Sequence, residues 1–255
     1  MAGIDYMRKI MFSGIEWEVR ETEKPAGPQN NRFSSSEESV WVDAKGLHLA
    51  IRKRGGRWYG SEVMTKASLG YGTYVFLVSS RVDQLDKNVV CGLFTWNSES
   101  FRSDANSEID IEFSKWGKPA YSTKNSLYAV NPTGRKGEDY PERKHRFDTK
   151  LHGDRSTHAF TWTSEWISFA SYHGHGCPTP FPINKWFFDK DNTPRIASEG
   201  SKISKPVLIP KPRLSTNARI NLWLLNKTQP SNGKEVEVTI SRFAYFPSES
   251  GGRKC

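Results

Sequence analysis

The sequence predicts an all-β fold, a sandwich of antiparallel strands in one domain spanning residues 1–255. Three observations carry this. Helical periodicity is nearly absent, short segments of alternating apolar and polar residues dominate, and Gly, Pro, Asn and Asp clusters punctuate them. Ten or so such segments in 255 residues suit a β-sandwich with a single core.

In chain order, Val40-Trp41-Val42 and Leu47-His48-Leu49-Ala50-Ile51 flank Asp43-Ala44-Lys45-Gly46, the pattern of a hairpin. Further strands are expected over 58–66, 71–79, 89–96 and 107–115, then over 125–130, 158–163, 166–173, 218–226 and 236–246. Two stretches break the rhythm. Residues 131–154 are rich in charge, Gly and Pro, and residues 178–212 hold seven prolines. Both are expected to be long loops.

Composition narrows the function classes. No long apolar run occurs, so no transmembrane span and no membrane partner are expected. The net charge of +9 comes from scattered Lys and Arg, without a helix-turn-helix or zinc-finger signature, and no nucleic-acid partner is expected. Neither a phosphate-binding loop nor a Gly-x-Ser-x-Gly elbow is present, which argues against nucleotide enzymes and α/β-hydrolases. Cys91, Cys177 and Cys255 are too few and too far apart for a disulfide framework. Cys91, in the run Val89-Val90-Cys91-Gly92-Leu93, is expected as a buried thiol. His173-Gly174-His175-Gly176-Cys177 contains zinc-type ligands, but its glycines favour a loop. The apolar stretch near Met7 to Phe12 is too short for a signal peptide. A secreted or periplasmic protein, its signal absent from this chain, is the expectation; a cytoplasmic location stays open.

The informative segment is Ser107-Glu108-Ile109-Asp110-Ile111-Glu112-Phe113. In a strand, Ile109, Ile111 and Phe113 share one face, and Glu108, Asp110 and Glu112 share the other. Three acids on one face repel and raise one another's pKa values, a cost that an ordinary strand avoids. Glycoside hydrolysis needs such a set: one carboxylate to attack the anomeric carbon and one protonated group to serve the leaving oxygen. Residues four apart on a strand lie about 13 Å apart at Cα, whereas retaining chemistry wants carboxyl groups about 5 to 5.5 Å apart. Long Glu side chains at the ends and a short Asp in the middle are the order that can close that gap on a curved strand. The spacing alone leaves open which acid takes which role.

This motif resembles the Glu-Ile-Asp-Ile-Glu signature of family-16 glycoside hydrolases, in the plain spacing of licheninases and xyloglucan-active enzymes. Other segments resemble the family in the same order: Gly70-Tyr71-Gly72-Thr73-Tyr74, Gly92-Leu93-Phe94-Thr95-Trp96, His158-Ala159-Phe160-Thr161-Trp162 and Ile220-Asn221-Leu222-Trp223. The similarity runs from about residue 15 to about residue 245. Tyr172-His173-Gly174 departs from it, standing where many members carry Val-Asp-Gly. The resemblance implies a concanavalin-like jelly roll of two antiparallel sheets with the sugar cleft on a concave face. It assigns Glu108 as nucleophile, Asp110 as assisting acid and Glu112 as general acid/base. The implied activity is retaining endo-hydrolysis of a β-linked polysaccharide, with β-1,3-1,4- or β-1,3-glucan favoured. A sulfated or acidic galactan, a transglycosylase and a non-catalytic carbohydrate-binding protein remain alternatives.

A sugar cleft also needs flat apolar faces and amides. On the expected strand 218–226, Asn221 and Trp223 share a face, a sugar-binding pair. Trp96 is a second platform, and Asn125 and Tyr128, on the strand after the acids, are further candidates. No cofactor is required by this chemistry, structural calcium is left open, and a monomer acting on a polysaccharide is expected.

Overall fold

A computed structural model describes residues 7–100, 106–119, 124–135, 138–176, 181–192, 195–197, 204–206 and 209–248. Cys177 and Cys255 lie outside them. In chain order the strands are β1 (Arg8–Phe12), β2 (Ile15–Val19), β3 (Val40–Asp43), β4 (Gly46–Arg54), β5 (Arg57–Tyr59), β6 (Ser61–Thr65), β7 (Gly72–Ser79), β8 (Val89–Trp96), β9 (Ile109–Phe113) and β10 (Ser126–Val130). There follow β11 (Gly134–Arg135), β12 (Glu138–Asp139), β13 (Lys144–Phe147), β14 (Arg155–Trp162), β15 (Trp166–His173), β16 (Asn184–Asp189), β17 (Arg195–Ala197), β18 (Ser204–Pro206), β19 (Asn217–Leu224) and β20 (Val236–Pro247). Only single 3-10 turns interrupt them among the described residues, and none of the helices there is long and apolar enough to cross a membrane.

Two antiparallel sheets form the jelly-roll sandwich. The first has the order β1-β2-β6-β19-β8-β9-β10-β13, the second β16-β15-β14-β7-β20-β4-β3 with β5 appended to β4. In the first sheet β2, β6, β19 and β8 are joined to neighbours distant in sequence, whereas β8, β9 and β10 follow one another, so the acid strand β9 is an inner strand held between β8 and β10. Between the sheets lies one apolar layer. Ile109, Ile111 and Phe113 of β9 and Leu93 of β8 meet Phe160, Phe169, Phe76 and Phe243 of the second sheet in it. Complete burial of each β9 apolar side chain stabilises the fold by about 1.5–3 kcal/mol, and this fixes which face of β9 looks outward.

Local chemistry explains the boundaries. The hairpin expected at Asp43-Ala44-Lys45-Gly46 forms: the Lys45 N–H donates to Asp43 Oδ1 at 2.7 Å, and Gly46 sits at φ +130° against the Ile240 carbonyl, where no side chain fits. The segment expected as one strand over 58–66 is two. Gly60 parts them because its N–H and C=O bond to Arg32 and Ser34 rather than to the sheet. The expected loops are partly stranded. β13 and the ribbon β11–β12 fall within 131–154, and β16 and the ribbon β17–β18 fall within 178–212. The hairpin β1–β2 was also unexpected. Its two-residue turn, Ser13-Gly14, has φ positive at both positions (54° and 76°), the conformation that matches strand twist.

Candidate active site

The register of the first sheet writes the site as rows. Glu112 of β9 pairs with Gly92 of β8 and Leu127 of β10; Gly92 pairs in turn with Asn221 of β19, and Asn221 with Glu62 of β6. One row along, Asp110 pairs with Phe94 and Ala129, and Phe94 with Arg219. Paired residues share a face, so the three acids, Asn221, Glu62 and Arg219 all project from the side opposite the core. They converge on a groove of about 340 Å³ that is also lined by Arg20, Pro28, Phe94, Trp96 and Trp223.

The start of the acid strand is pinned. Thr95 Oγ1 donates to the Ser107 carbonyl at 2.7 Å and accepts from the Ile109 N–H at 3.2 Å, while the Glu108 N–H donates to Asn106 Oδ1 at 2.8 Å. Asp110 is 7% exposed and its Oδ2 accepts from Asn131 Nδ2 at 2.5 Å. Glu108 and Glu112 are half-buried in the groove wall. Desolvation pushes the Glu108 carboxyl up to about 8, the nearby Glu112 and Glu62 charges adding to the rise and Arg219 opposing it. Desolvation likewise raises Glu112 to about 7, against the pull of Arg146. Asp110 is raised well above the carboxylate range, by desolvation first and then by its two neighbours. The three carboxyls share their protons as one set. Such a set can hold one group ionised while another keeps a proton, which is the division that acid–nucleophile chemistry needs.

Asn221 is positioned by an absence. A Cβ on Gly92 would stand 2.5 Å from Asn221 Oδ1, so only glycine lets the amide lie across β8. That buried oxygen has no hydrogen-bond partner among the described residues. Glu62, 1% exposed, is held between two guanidinium groups: Arg20 Nη1 at 2.8 Å from Oε2 and Arg219 Nη1 at 2.9 Å from Oε1.

Of the residues singled out from sequence, Glu108, Asp110, Glu112, Trp96, Asn221 and Trp223 come together in this groove. Asn125 and Tyr128 do not. Tyr128 pairs with Ile111, so its ring faces the core, where it stacks on Phe169 and donates to Ser171 Oγ at 2.6 Å. Asn125 precedes β10, and its amide is taken up by the carbonyls of Asp83 and Thr149. His158 lies in the core between Ser156 and Ser171, and burial depresses its imidazole to about 3. His173 stacks on His152, and His175 meets the Val78 carbonyl. Among the described residues no cluster of three or more His, Cys, Asp or Glu side chains is arranged to hold a metal ion. Cys91 is a buried thiol, raised to about 12 chiefly by desolvation. Sequence reasoning missed Arg20, Glu62 and Arg219. The alternation in Ser61-Glu62-Val63-Met64 and Arg219-Ile220-Asn221 held the signal, but pairing of β6 with β19 was needed to bring the charges together.

No family model and no curated protein matches the sequence. Solved structures do. A β-1,3-1,4-glucanase (lichenase) from a mouse hindgut metagenome superposes with a TM-score of 0.59 at 19% identity, over 91% of this chain and 92% of its own. The chain has the fold of the family-16 β-glucanases. A family-16 endo-glucanase from Bacteroides ovatus, in complex with G4G3G-2F-DNP, matches at 0.60 and 14% identity over 93% of this chain and 97% of its own. A pseudo β-1,3-glucanase and immunostimulatory antigen of Mycobacterium tuberculosis matches at 0.60 and 18% identity, over 91% of both chains.

Proposed function

We propose that the chain is a retaining endo-acting glycoside hydrolase that cleaves a β-1,3-1,4- or β-1,3-glucan. The supporting observation is the convergence of Glu108, Asp110 and Glu112 from one inner strand and its start into one groove, beside an amide oxygen without a partner among the described residues. Glu108 attacks the anomeric carbon and forms a glycosyl-enzyme, while Glu112 protonates the leaving oxygen and then activates the incoming water. Asp110, desolvated between them and steadied by Asn131, keeps a proton that it can share with either neighbour. Asn221 accepts from a sugar hydroxyl, and the rings of Trp96 and Trp223 receive sugar C–H faces. A polymer of this kind is met outside the cytoplasm, which fits a secreted or periplasmic enzyme.

The test is incubation with barley β-glucan and laminarin, with products sized by chromatography and the anomeric proton followed by NMR. Retained β-configuration in the first product and release of internal oligosaccharides are expected. An inverted product, or release of single sugars only, would overturn the reading. The likeness to a pseudo β-1,3-glucanase favours a second reading, a carbohydrate-binding protein without turnover. Glucan binding by calorimetry with no new reducing ends would establish that reading instead.

A further inference from the structure

The groove holds two guanidinium groups that the glycosidase reading does not use. Arg20 and Arg219 both grip Glu62, which is nearly inaccessible to solvent, and all three side chains line the cavity that the acids line. One buried carboxylate between two guanidinium groups leaves one positive charge over. An uncompensated charge in a desolvated site is costly, so it must be matched within the groove. Arg219 is placed to be matched. Its backbone lies two strands from Asp110 in the same row, its side chain is only 15% exposed, and its buried Nε has no hydrogen-bond partner among the described residues. We infer that Arg219, held in place by Glu62, is a positioning residue that favours the ionised, attacking form of Glu108.

Every charged or polar group facing Glu108 bears on this. On its own strand, Asp110 and Glu112 oppose ionisation. From β6, Glu62 opposes it, and from β19, Arg219 favours it. Trp96 and Phe94 from β8 bring no charge and exclude water. Asn217 of β19 is turned away, its amide donating to the Thr65 carbonyl, and after β10 the Asn131 backbone N–H is bonded to the Glu108 carbonyl oxygen. Arg219 is therefore the cation that favours ionised Glu108, Arg20 being turned onto Glu62, and Glu62 sets the position of Arg219 and tempers its effect. The opposite flank differs. Arg146 of β13, in the row of Glu112, is exposed and lies 4.0 Å from the Trp116 ring centroid, where water screens it.

The inference builds on Glu108 as nucleophile, yet it has a readout independent of turnover. In protein labelled with 13C at the Glu side-chain carboxyl, the Glu108 resonance, assigned by its loss in Glu108→Gln, is titrated from pH 4 to pH 10. In Arg219→Met the midpoint rises by about one pH unit, a tenfold change in the ionisation constant. In Glu62→Gln it falls, because a negative neighbour is gone while the amide oxygen still accepts from Arg219 and keeps it in place. Arg219→Lys keeps the charge and stays near wild type, which guards against a fold defect in Arg219→Met. Where the chain turns over glucan, the acidic limb of kcat/KM moves in the same two directions. Midpoints unmoved in both variants, or displaced in the same direction, would overturn the inference. Midpoints displaced as described in a protein that releases no sugar would leave it standing and remove the glycosidase reading alone.

Discussion

The outward faces of the two sheets carry charge in opposite ways. On the second sheet, His48 of β4 bridges Asp43 and Glu237 at 2.9 Å each, and Arg52 and Arg54 reach Glu235 and Glu38 at 3.0 and 2.6 Å. Each acid there has an opposite partner and stays well exposed. On the first sheet three acids stand side by side, Glu108 just before β9 and Asp110 and Glu112 on it, desolvated in the groove wall and with no ion-pair partner in direct contact among the described residues. Exposed ion pairs contribute about 0–1 kcal/mol each, so the second face is close to neutral for stability. The first face works against folding. A strand can carry that cost because its other face, Ile109, Ile111 and Phe113, is wholly buried. The difference marks one face as solvated decoration and the other as a site.

The contrast breaks most visibly in turnover. Glu108→Gln is expected to lower kcat on β-glucan by about 10⁴-fold or more, and Glu112→Gln by about 10²–10⁴-fold, both measured by reducing-end release. Equal residual activity in both variants and wild type would show that the acid row is inert. Next in size is Gly92→Ala. The added methyl must displace the Asn221 amide, costing about 1–3 kcal/mol by urea denaturation and raising KM.

A smaller effect separates the two faces by pH. Below about pH 4 the β9 acids are protonated in the folded and unfolded chain alike. As pH rises toward 8, the unfolded chain releases these protons while the folded chain, with carboxyls raised to about 7 and about 8, retains them, so stability falls. Glu112→Gln is therefore expected to raise Tm relative to wild type by more at pH 8 than at pH 5, read by differential scanning calorimetry. Smallest is Glu237→Gln on the second sheet, expected to change stability by no more than about 0.5 kcal/mol at either pH. A larger loss there would mean that the exposed network is more than decoration.

Legibility followed the same division. The strands 89–96 and 166–173 were read to the residue, because alternation with bulky apolar side chains on the core face is a strong signal. From sequence β13 and β16 read as loops, because Lys144-His145-Arg146-Phe147 and Asn184-Lys185-Trp186-Phe187 present little apolar contrast and sit among turn residues. They are strands because the neighbouring β10 and β15 supply hydrogen-bond partners. Proximity to the acids in sequence points Tyr128 to the groove, whereas its pairing with Ile111, one residue from Glu112, turns it inward. A single residue of register decides between core and cleft.

Local alternation by itself determined that this chain forms a β-sandwich and that Glu108, Asp110 and Glu112 share the solvent-side face of one strand, since period two is a property of the extended backbone. The groove, the desolvation that raises those acids, and the Arg20–Glu62–Arg219 clamp were decided by tertiary structure alone. β2, β6, β19 and β8 are far apart in sequence and become neighbours only through sheet pairing, and the electrostatics of a site depend on what surrounds it in space.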